Sequence, residues 1–215
     1  MKDRGAKRRI LDAAESLFAD QGFHATSLRD ITTAARVNLA AVHYYFGSKE
    51  ALLDAVLERR LGPMNRERLQ MLKSAQTVTG KDLDVATILR AYFLPPFRKV
   101  NLLGQQGAKF MQLMGRLHSE THSDLRHRFI RHFESVLDAF TLAFRQALPG
   151  LSADEVHRRL HFVIGAMAHT LVWESGQQGE AGSLEDVFEK LMGFCEAGMR
   201  AVPEEQLRMK MKVGA

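Results

Sequence analysis

Residues 26–49 read TSLRDITTAARVNLAAVHYYFGSK, and this stretch carries the signals of two short helices joined by a tight turn. Ser27 is followed three residues later by Asp30, which is the spacing of a capping box with Asp in place of the preferred Glu. Asn38 is the next good N-cap, and Gly47 is suited to end the helix that follows it. The stretch therefore predicts one helix, a turn and a second helix.

The rest of the chain repeats apolar residues at i, i+3 and i+4 almost throughout, which predicts an all-α protein. Gly22 ends a first helix, and Ser48 caps a fourth helix that Gly62-Pro63 interrupts by a kink or a break. Pro95-Pro96 marks another helix boundary. The expected helices cover residues 7–21, 27–35, 39–45, 49–62, 83–94, 102–118, 123–147, 153–176 and 184–201.

Composition excludes several classes of protein. The 215 residues carry a formal charge of +5, with 46% hydrophobic and 26% charged residues, which is ordinary for a folded globular protein. No run of roughly eighteen apolar residues is present, so we expect no membrane partner. No apolar segment follows the basic N-terminal residues, which excludes a secretory signal, and the single Cys195 can form no internal disulfide. We expect a cytoplasmic protein, whose positive charge favours a polyanionic partner only weakly.

Two short helices after a longer one have the arrangement of a DNA reader, because the major groove, about 12 Å wide, accepts one helix. Phosphate contacts are expected from residues at helix starts and from phenolic hydroxyls, namely Thr26, Ser27, Tyr44 or Tyr45, and Lys49. The second helix would present Asn38, Leu39, Ala40, His43 and Tyr44 to base edges. The spacing alone equally allows a small three-helix core whose aromatic residues simply pack.

Three segments together resemble the TetR family of repressors: ILDAAESLFADQGF from Ile10, TSLRDI from Thr26 and VHYYFGSKEALL from Val42. The resemblance implies an all-α, TetR-type fold with an N-terminal three-helix helix-turn-helix domain in residues 1–48, extended by a linker helix over 49–62. A C-terminal helical ligand-binding and dimerisation domain would occupy residues 63–215. The resemblance further implies a homodimeric repressor that binds double-stranded, palindromic operator DNA.

Two positions depart from the family pattern. Arg36 stands where the turn usually has Gly, so a residue with a Cβ must adopt the left-handed conformation at a cost of about 1 kcal/mol. His43 replaces the family's common Tyr and alters one DNA contact. The DNA-binding residues that we expect are Thr26, Ser27, Arg36, Asn38, Leu39, Ala40, His43, Tyr44, Tyr45 and Lys49.

Further segments, among them VNLAAV from Val37, HFVIGA from His161 and AGMRA from Ala197, resemble the fatty-acid-responsive, PsrA-like subgroup of this family. The resemblance implies a small hydrophobic effector, a fatty acid or an acyl-CoA, that releases the DNA. Residues rich in Phe and Met would line its pocket, although such stripes are more often ordinary core. The expected pocket residues are Phe93, Phe97, Phe110, Met111, Met114, Phe129, Phe133 and His161, and the candidate cations at its mouth are Arg98, Lys99, Arg116 and His161.

The last two long helices carry apolar faces interspersed with Gly and Ala, which let helix backbones approach closely. In the family these helices form the dimer bundle, and the alternative is packing within one subunit. The expected interface residues are Leu160, Val163, Ala166, Met167, Thr170, Leu191, Met192, Cys195 and Met199.

Metal and catalytic sites are not expected. His118 with His122, and His157 with His161, have a spacing that can chelate, but no acidic or cysteine ligand completes either pair, so we expect no metal and no cofactor. No phosphate-cradling glycine loop, catalytic acid pair or base beside Cys195 indicates an enzyme. The alternative function is a TetR-like DNA-binding protein with a chromosome-structural or division-control role and no ligand.

Overall fold

The computed structural model describes residues 2–79, 83–176 and 183–202, which form helices and short connections without strands. The end of the expected C-terminal domain, residues 203–215, lies outside this range. The helices are α1 (Lys2–Gln21), α2 (Leu28–Ala35), α3 (Leu39–Phe46), α4 (Lys49–Thr79), α5 (Val85–Leu103), α6 (Gln105–His118), α7 (Ser123–Arg131), α8 (Glu134–Ala147), α9 (Ala153–Gly176) and α10 (Leu184–Arg200). The all-α prediction is confirmed.

Three prolines lie inside helices of the described residues. Of the kink or break predicted at Gly62-Pro63, the break is wrong because α4 is continuous, and the predicted boundary at Pro95-Pro96 is wrong because α5 runs through it. A proline removes one backbone hydrogen bond and crowds the preceding turn, and the neighbouring packing must offset that cost. Leu61 and Met64 are buried on either side of Pro63. Pro95 and Pro96 are themselves buried within α5.

The helix predicted over residues 123–147 is divided into α7 and α8. The amides of His132 and Phe133 donate to the carbonyls of Phe129 and Ile130, three residues back, at 3.2 and 2.9 Å. Such tight bonds close a helix end and let the chain turn into a new helix. Neither Gly nor Pro is present at this boundary, so the sequence contains no helix-ending residue that would predict it.

The first three helices form a small head around Phe18, Ile31 and Val42, which are fully buried. Val42 is the one residue of α3 that is buried, so most of this helix remains on the surface. The larger core lies in the body of the protein, where α5, which carries the buried Tyr92 and Phe93, packs against α8 and α9. Helices α9 and α10 pack against each other at the far side of the body.

Charged groups join the head to the body. The buried carboxylate of Glu15 on α1 accepts hydrogen bonds from Arg59 at 2.6 Å and Arg60 at 2.8 Å, both on α4. Arg116 of α6 donates to the carbonyls of Ala19 and Asp20 at 2.7 and 2.9 Å. These carbonyls belong to the last turn of α1, which offers unpaired acceptors. The head is therefore attached to both α4 and α6.

Candidate functional site

The turn between α2 and α3 has the geometry that the sequence predicts. The hydroxyl of Ser27 accepts from the amide of Asp30 at 3.1 Å, and the Asp30 carboxylate accepts from the amide of Ser27 at 2.9 Å. Arg36 adopts φ 53° and ψ 53°, the left-handed conformation. The amide of Arg36 donates to Thr33 O and the amide of Val37 donates to Thr32 O. Two carbonyls of the last turn of α2 are therefore hydrogen-bonded.

One face of α3 is suited to contact DNA because its side chains point away from the core. Leu39, Ala40, His43 and Tyr44 are exposed, at positions that share one side of a helix, and Tyr44 is 79% exposed. Asn38 caps the helix by accepting from the amide of Ala41 at 2.9 Å through Oδ1, which leaves its amide N–H groups as donors. Asn38, Leu39 and Ala40 lie at the N-terminal end of α3, the end that enters a groove in helix-turn-helix proteins, and His43 and Tyr44 continue the face into the last turn.

His43 has one ring nitrogen in use. Its Nδ1 lies 3.0 Å from the carbonyl of Gly47, and the Nδ1–H tautomer donates to that oxygen. In this tautomer Nε2 is an acceptor. An acceptor on the exposed face matches a base amino group in the major groove, such as N4 of cytosine or N6 of adenine.

The expected phosphate contacts divide into exposed and buried groups. Ser27 is exposed, whereas Thr26 is 1% exposed and its hydroxyl donates to Gly22 O at 2.8 Å and Leu17 O at 3.2 Å. The side chain of Thr26 thus fixes the loop to α1, and the prediction that it contacts phosphate directly is corrected. Tyr45 is half-buried and its ring meets that of Tyr44 edge-on.

Lys49 is half-buried at the start of α4. Its Nζ lies 4.5 Å from the centre of the Phe23 ring and donates to the carbonyl of His24 at 3.4 Å. Burial lowers the pKa of this ammonium, and the neighbouring Glu50 carboxylate opposes the shift. The amino group is held close to the head instead of moving freely in solvent.

Two further cations beside α3 were missing from the expected set. The Nζ of Lys7 lies 5.8 Å from the centre of the Phe46 ring, and Arg9 donates through Nε to Ala35 O at 3.0 Å. Both belong to the basic segment at the start of α1, and both side chains are exposed. The sequence showed this basic run, but only the fold places it next to α3.

The expected pocket residues are mostly buried, and none of them lines either of the two cavities described below. Five are buried, namely Phe93, Phe97, Phe110, Met111 and Phe129, while Met114 and Phe133 are half-buried. His161 is exposed beside His157 on α9, so it does not lie among the buried residues expected to line the pocket. The helical repeat explains this, because Leu160 and Val163 of the same helix take the buried positions.

The expected cations at the pocket mouth have other positions. Arg98 is exposed and pairs with Glu67 at 3.5 Å, and Arg116 is committed to the end of α1. A cleft of about 720 Å³ opens between α1, α4, α6 and α9, and its lining includes the charged groups of Asp12, Arg59 and Lys109.

Arg68 of α4 is a cation that the structure places in the core of the body. It is 2% exposed, and its guanidinium lies 4.2 Å from the centre of the Tyr92 ring. Its N–H groups donate to Tyr92 O at 2.8 Å, Asn65 Oδ1 at 3.1 Å and Met167 Sδ at 3.8 Å. Burial lowers the pKa of this guanidinium, as expected for a cation held away from water. None of these acceptors is a carboxylate.

The side chains expected at a dimer interface are mostly inside the protomer. Leu160, Val163, Met167, Leu191, Met192, Cys195 and Met199 are buried, and Ala166 and Thr170 are half-buried. The buried residues pack within the protomer, and the assignment of these nine residues to a dimer interface stays a prediction. Burial raises the pKa of the Cys195 thiol to about 11, in agreement with an apolar setting.

The opposite sides of α9 and α10 carry exposed aromatic residues. Phe162 and Phe194 are 69% and 72% exposed, and Trp173 is 57% exposed. A groove of about 250 Å³ runs beside Phe162, Phe194 and Gly198. Exposed aromatic residues next to glycines are unusual on a free surface and common where helices of two subunits meet.

The described helices include no stretch with both the length and the hydropathy that crossing a bilayer requires.

Comparison with known proteins agrees with the fold. Residues 10–56 match the family profile described as "Bacterial regulatory proteins, tetR family", and residues 90–198 match "Tetracyclin repressor-like, C-terminal domain". The HTH-type transcriptional regulator BetI of Rhizobium meliloti is 33% identical over 87 residues, which are 40% of this chain and 41% of that protein. The chain thus aligns with less than half the length of this curated relative.

Two solved structures have the same fold over most of their length. The fatty acid degradation regulator FadR of Bacillus halodurans has a TM-score of 0.70 at 16% identity, covering 92% of this chain and 97% of its own. FadR of Bacillus subtilis, solved in complex with stearoyl-CoA, has a TM-score of 0.68 at 17% identity, covering 89% and 98%. At this level of identity the similarity establishes the fold alone.

Proposed function

The chain belongs to the TetR family of bacterial regulatory proteins, and from that premise we propose that it is a repressor that binds palindromic operator DNA as a homodimer. The observation that carries the proposal is the exposed face of α3, where Asn38, His43 and Tyr44 present hydrogen-bonding groups and Leu39 and Ala40 present methyl groups. A helix with such a face fits the major groove and can read base edges.

Cations around that face supply the electrostatic part of binding. Lys49 and Ser27 lie at helix N-termini, where backbone N–H groups favour phosphate, and Arg36 is exposed at the turn between them. Lys7 and Arg9 extend the positive surface beyond the residues expected from the sequence. These contacts set orientation and register, while the α3 face sets sequence preference.

Dimerisation follows from the two-fold symmetry of a palindrome and from the exposed face of α9 and α10. A two-fold partner places a second α3 about 34–36 Å away, one turn of DNA. Phe162 and Phe194 would be covered by the same face of the partner. Gly165, Gly193 and Gly198 leave open space above their Cα atoms, which permits close approach of a partner helix.

The effector that fits this body is an amphipathic anion, a fatty acid or an acyl-CoA, as in the PsrA-like subgroup that the sequence resembles. Arg68 supports this proposal because it is a buried cation that stacks on the Tyr92 ring and donates to acceptors that carry no charge. A buried guanidinium is stabilised by an anionic partner, which a carboxylate or a phosphate supplies. FadR of Bacillus subtilis, which has this fold, was solved with stearoyl-CoA. Since the core is packed, the effector would separate helices as it enters.

A single helix links the two sites. Arg68 and Lys49 both belong to α4, nineteen residues apart, which corresponds to about 28 Å along the helix axis. An effector that moves α4 at Arg68 also moves Lys49 relative to the DNA. Couplings of this kind amount to about 1–3 kcal/mol, and by linkage DNA weakens effector binding equally.

Selection of bound duplexes from a random library tests the DNA-binding proposal. We expect an inverted repeat, with half-sites one helical turn apart. Lys49→Ala should weaken binding to all sequences and reduce the slope of log affinity against log salt by about 0.9, the share of one phosphate. His43→Ala should change the preferred base at one position, with about 1–3 kcal/mol of discrimination lost there.

Two results would contradict the proposal. Selection that yields no preferred sequence would favour the alternative, a chromosome-structural role. Equal weakening of specific and random DNA by His43→Ala would show that His43 does not read a base.

A further inference from the structure

Three side chains from two loops meet at the junction of the head and the body. His24 lies in the loop between α1 and α2, and Glu120 and His122 lie in the loop between α6 and α7. One ligand atom from each of the three, a ring nitrogen or a carboxylate oxygen, lies within 4.8 Å of the others. The two imidazole rings are 4.4 Å apart between centres.

The carboxylate of Glu120 is already oriented. Its Oε1 accepts from the amides of Thr121 and His122 at 2.9 and 3.0 Å and lies 2.8 Å from Nδ1 of His122. The side chain of Glu120 is 18% exposed, whereas that of His122 is 66% exposed. A fixed carboxylate between two accessible imidazoles is pre-organised for a cation, because only the histidine rings need to adjust.

We propose that His24, Glu120 and His122 bind a divalent transition metal ion of the zinc type. Imidazole nitrogens and a carboxylate oxygen are ligands that Zn²⁺ takes at about 2.0–2.2 Å, with water in the fourth position of a tetrahedron. Ligand atoms around such an ion are about 3.3 Å apart, so the present spacing requires movements of only about 1–1.5 Å. The sequence pairs His122 with His118, but the fold brings His24 to it from 98 positions away.

A metal here would fix the reading head to the body. The carbonyl of His24 accepts from Lys49, so the loop that would hold the ion also positions a proposed phosphate contact. His122 is the residue before α7, so the ion would also anchor the start of that helix. The metal would therefore restrict how far the head can turn when an effector enters the body.

Titration of the metal-free, full-length chain with Zn²⁺ against a chromophoric chelator tests the site. We expect one ion per chain, and replacement by Co²⁺ should give the visible absorption of a four-coordinate ion. His24→Ala should weaken Zn²⁺ binding by about tenfold or more, since one of three ligands is lost. His24 is exposed, so the fold should persist, and circular dichroism checks this.

The chain supplies a matched control in the exposed His157–His161 pair, whose Nε2 atoms are 3.0 Å apart on α9. The double variant His157→Ala/His161→Ala should keep the tight Zn²⁺ site. If this control loses the site, or if His24→Ala binds Zn²⁺ as wild type does, the proposal is wrong.

The effect of the metal on DNA is a separate measurement that rests on the proposed function. We expect Zn²⁺ to alter operator affinity in wild type and not in His24→Ala. If Zn²⁺ binds but does not change operator affinity, the regulatory role is wrong and the metal site stands. If neither wild type nor His24→Ala binds DNA, with or without Zn²⁺, the proposed function is wrong and the metal site stands.

Discussion

Replacing Arg68 by Met tests whether the buried guanidinium receives the effector. In the free protein the substitution removes the hydrogen bonds to Tyr92 O and Asn65 Oδ1, and it also removes a charge held away from water. These effects oppose each other, because two acceptors lose their donor while the cost of holding a charge away from water disappears. We therefore expect the free energy of unfolding to change by less than about 2 kcal/mol.

The substitution should weaken effector binding, and by more than it changes stability. A charge-assisted hydrogen bond contributes about 1.5–3 kcal/mol, and a carboxylate loses at least one when Arg68 is absent. This corresponds to effector affinity lower by about 10- to 100-fold, at 1.4 kcal/mol for each factor of ten. DNA binding without effector should be unchanged, since Arg68 lies in the body, away from α3.

Fluorescence anisotropy of a labelled operator measures both quantities in one assay. Oleate and oleoyl-CoA are added in separate titrations, which distinguishes a carboxylate from a phosphate-bearing head group. Arg98→Met is the matched control, because Arg98 is an exposed arginine paired only with Glu67 in the described structure. If Arg68→Met and Arg98→Met release DNA at the same effector concentration as wild type, Arg68 does not receive the effector.

Three further predictions concern stability and assembly. Thr26→Val should lower the free energy of unfolding by about 1–3 kcal/mol, because the partly buried carbonyls of Leu17 and Gly22 lose the hydroxyl donor. Thr26→Ser should retain most of the stability. Urea unfolding measures both, and a Val variant as stable as wild type would refute the role of the hydroxyl. Phe194→Asp should give monomers in light scattering after gel filtration, because Phe194 lies on the proposed interface. The control Leu142→Asp changes an exposed residue of α8 and should leave the dimer intact. If both variants are dimers, the interface lies elsewhere. The hydroxyl and amide of Ser27 lower the pKa of Asp30 below its ordinary value of 3.8. The stability that the ionised Asp30 contributes is therefore complete above pH 3.8 and is lost as the pH falls through the lower pKa of the folded state. Asp30→Asn should abolish this part of the acid dependence in urea unfolding, and the same pH dependence in variant and wild type would contradict the prediction.

The head was predictable from sequence because its signals are local. The capping box at Ser27, the cap at Asn38 and the left-handed turn at Arg36 each depend on residues within a few positions, and all three occur as predicted. The helices of the body were predictable in type but not in their ends. Pro63 lies inside α4 because its neighbours pack well, and packing of this kind is not visible in one segment.

The faces of the body helices were harder to assign. On α9 and α10 both sides carry apolar residues, so periodicity does not tell which side meets the protomer core and which meets a partner. Leu191 and Cys195 took the inner side, and Phe194 took the outer one. Arg68 was missed for a related reason: an arginine in a helix is usually solvated, and its burial depends on Tyr92, which comes 24 residues later.

The bond from Arg116 to the last carbonyls of α1 has a consequence for protein engineering. Sensors are often built by grafting the DNA-specific segment of one regulator onto the effector-binding segment of another. In this protein a graft that ends after α4 would separate α1 from the guanidinium that completes its C-terminus. A functional chimera should therefore either import the donor's own α6 or keep an arginine at position 116 with a compatible α1.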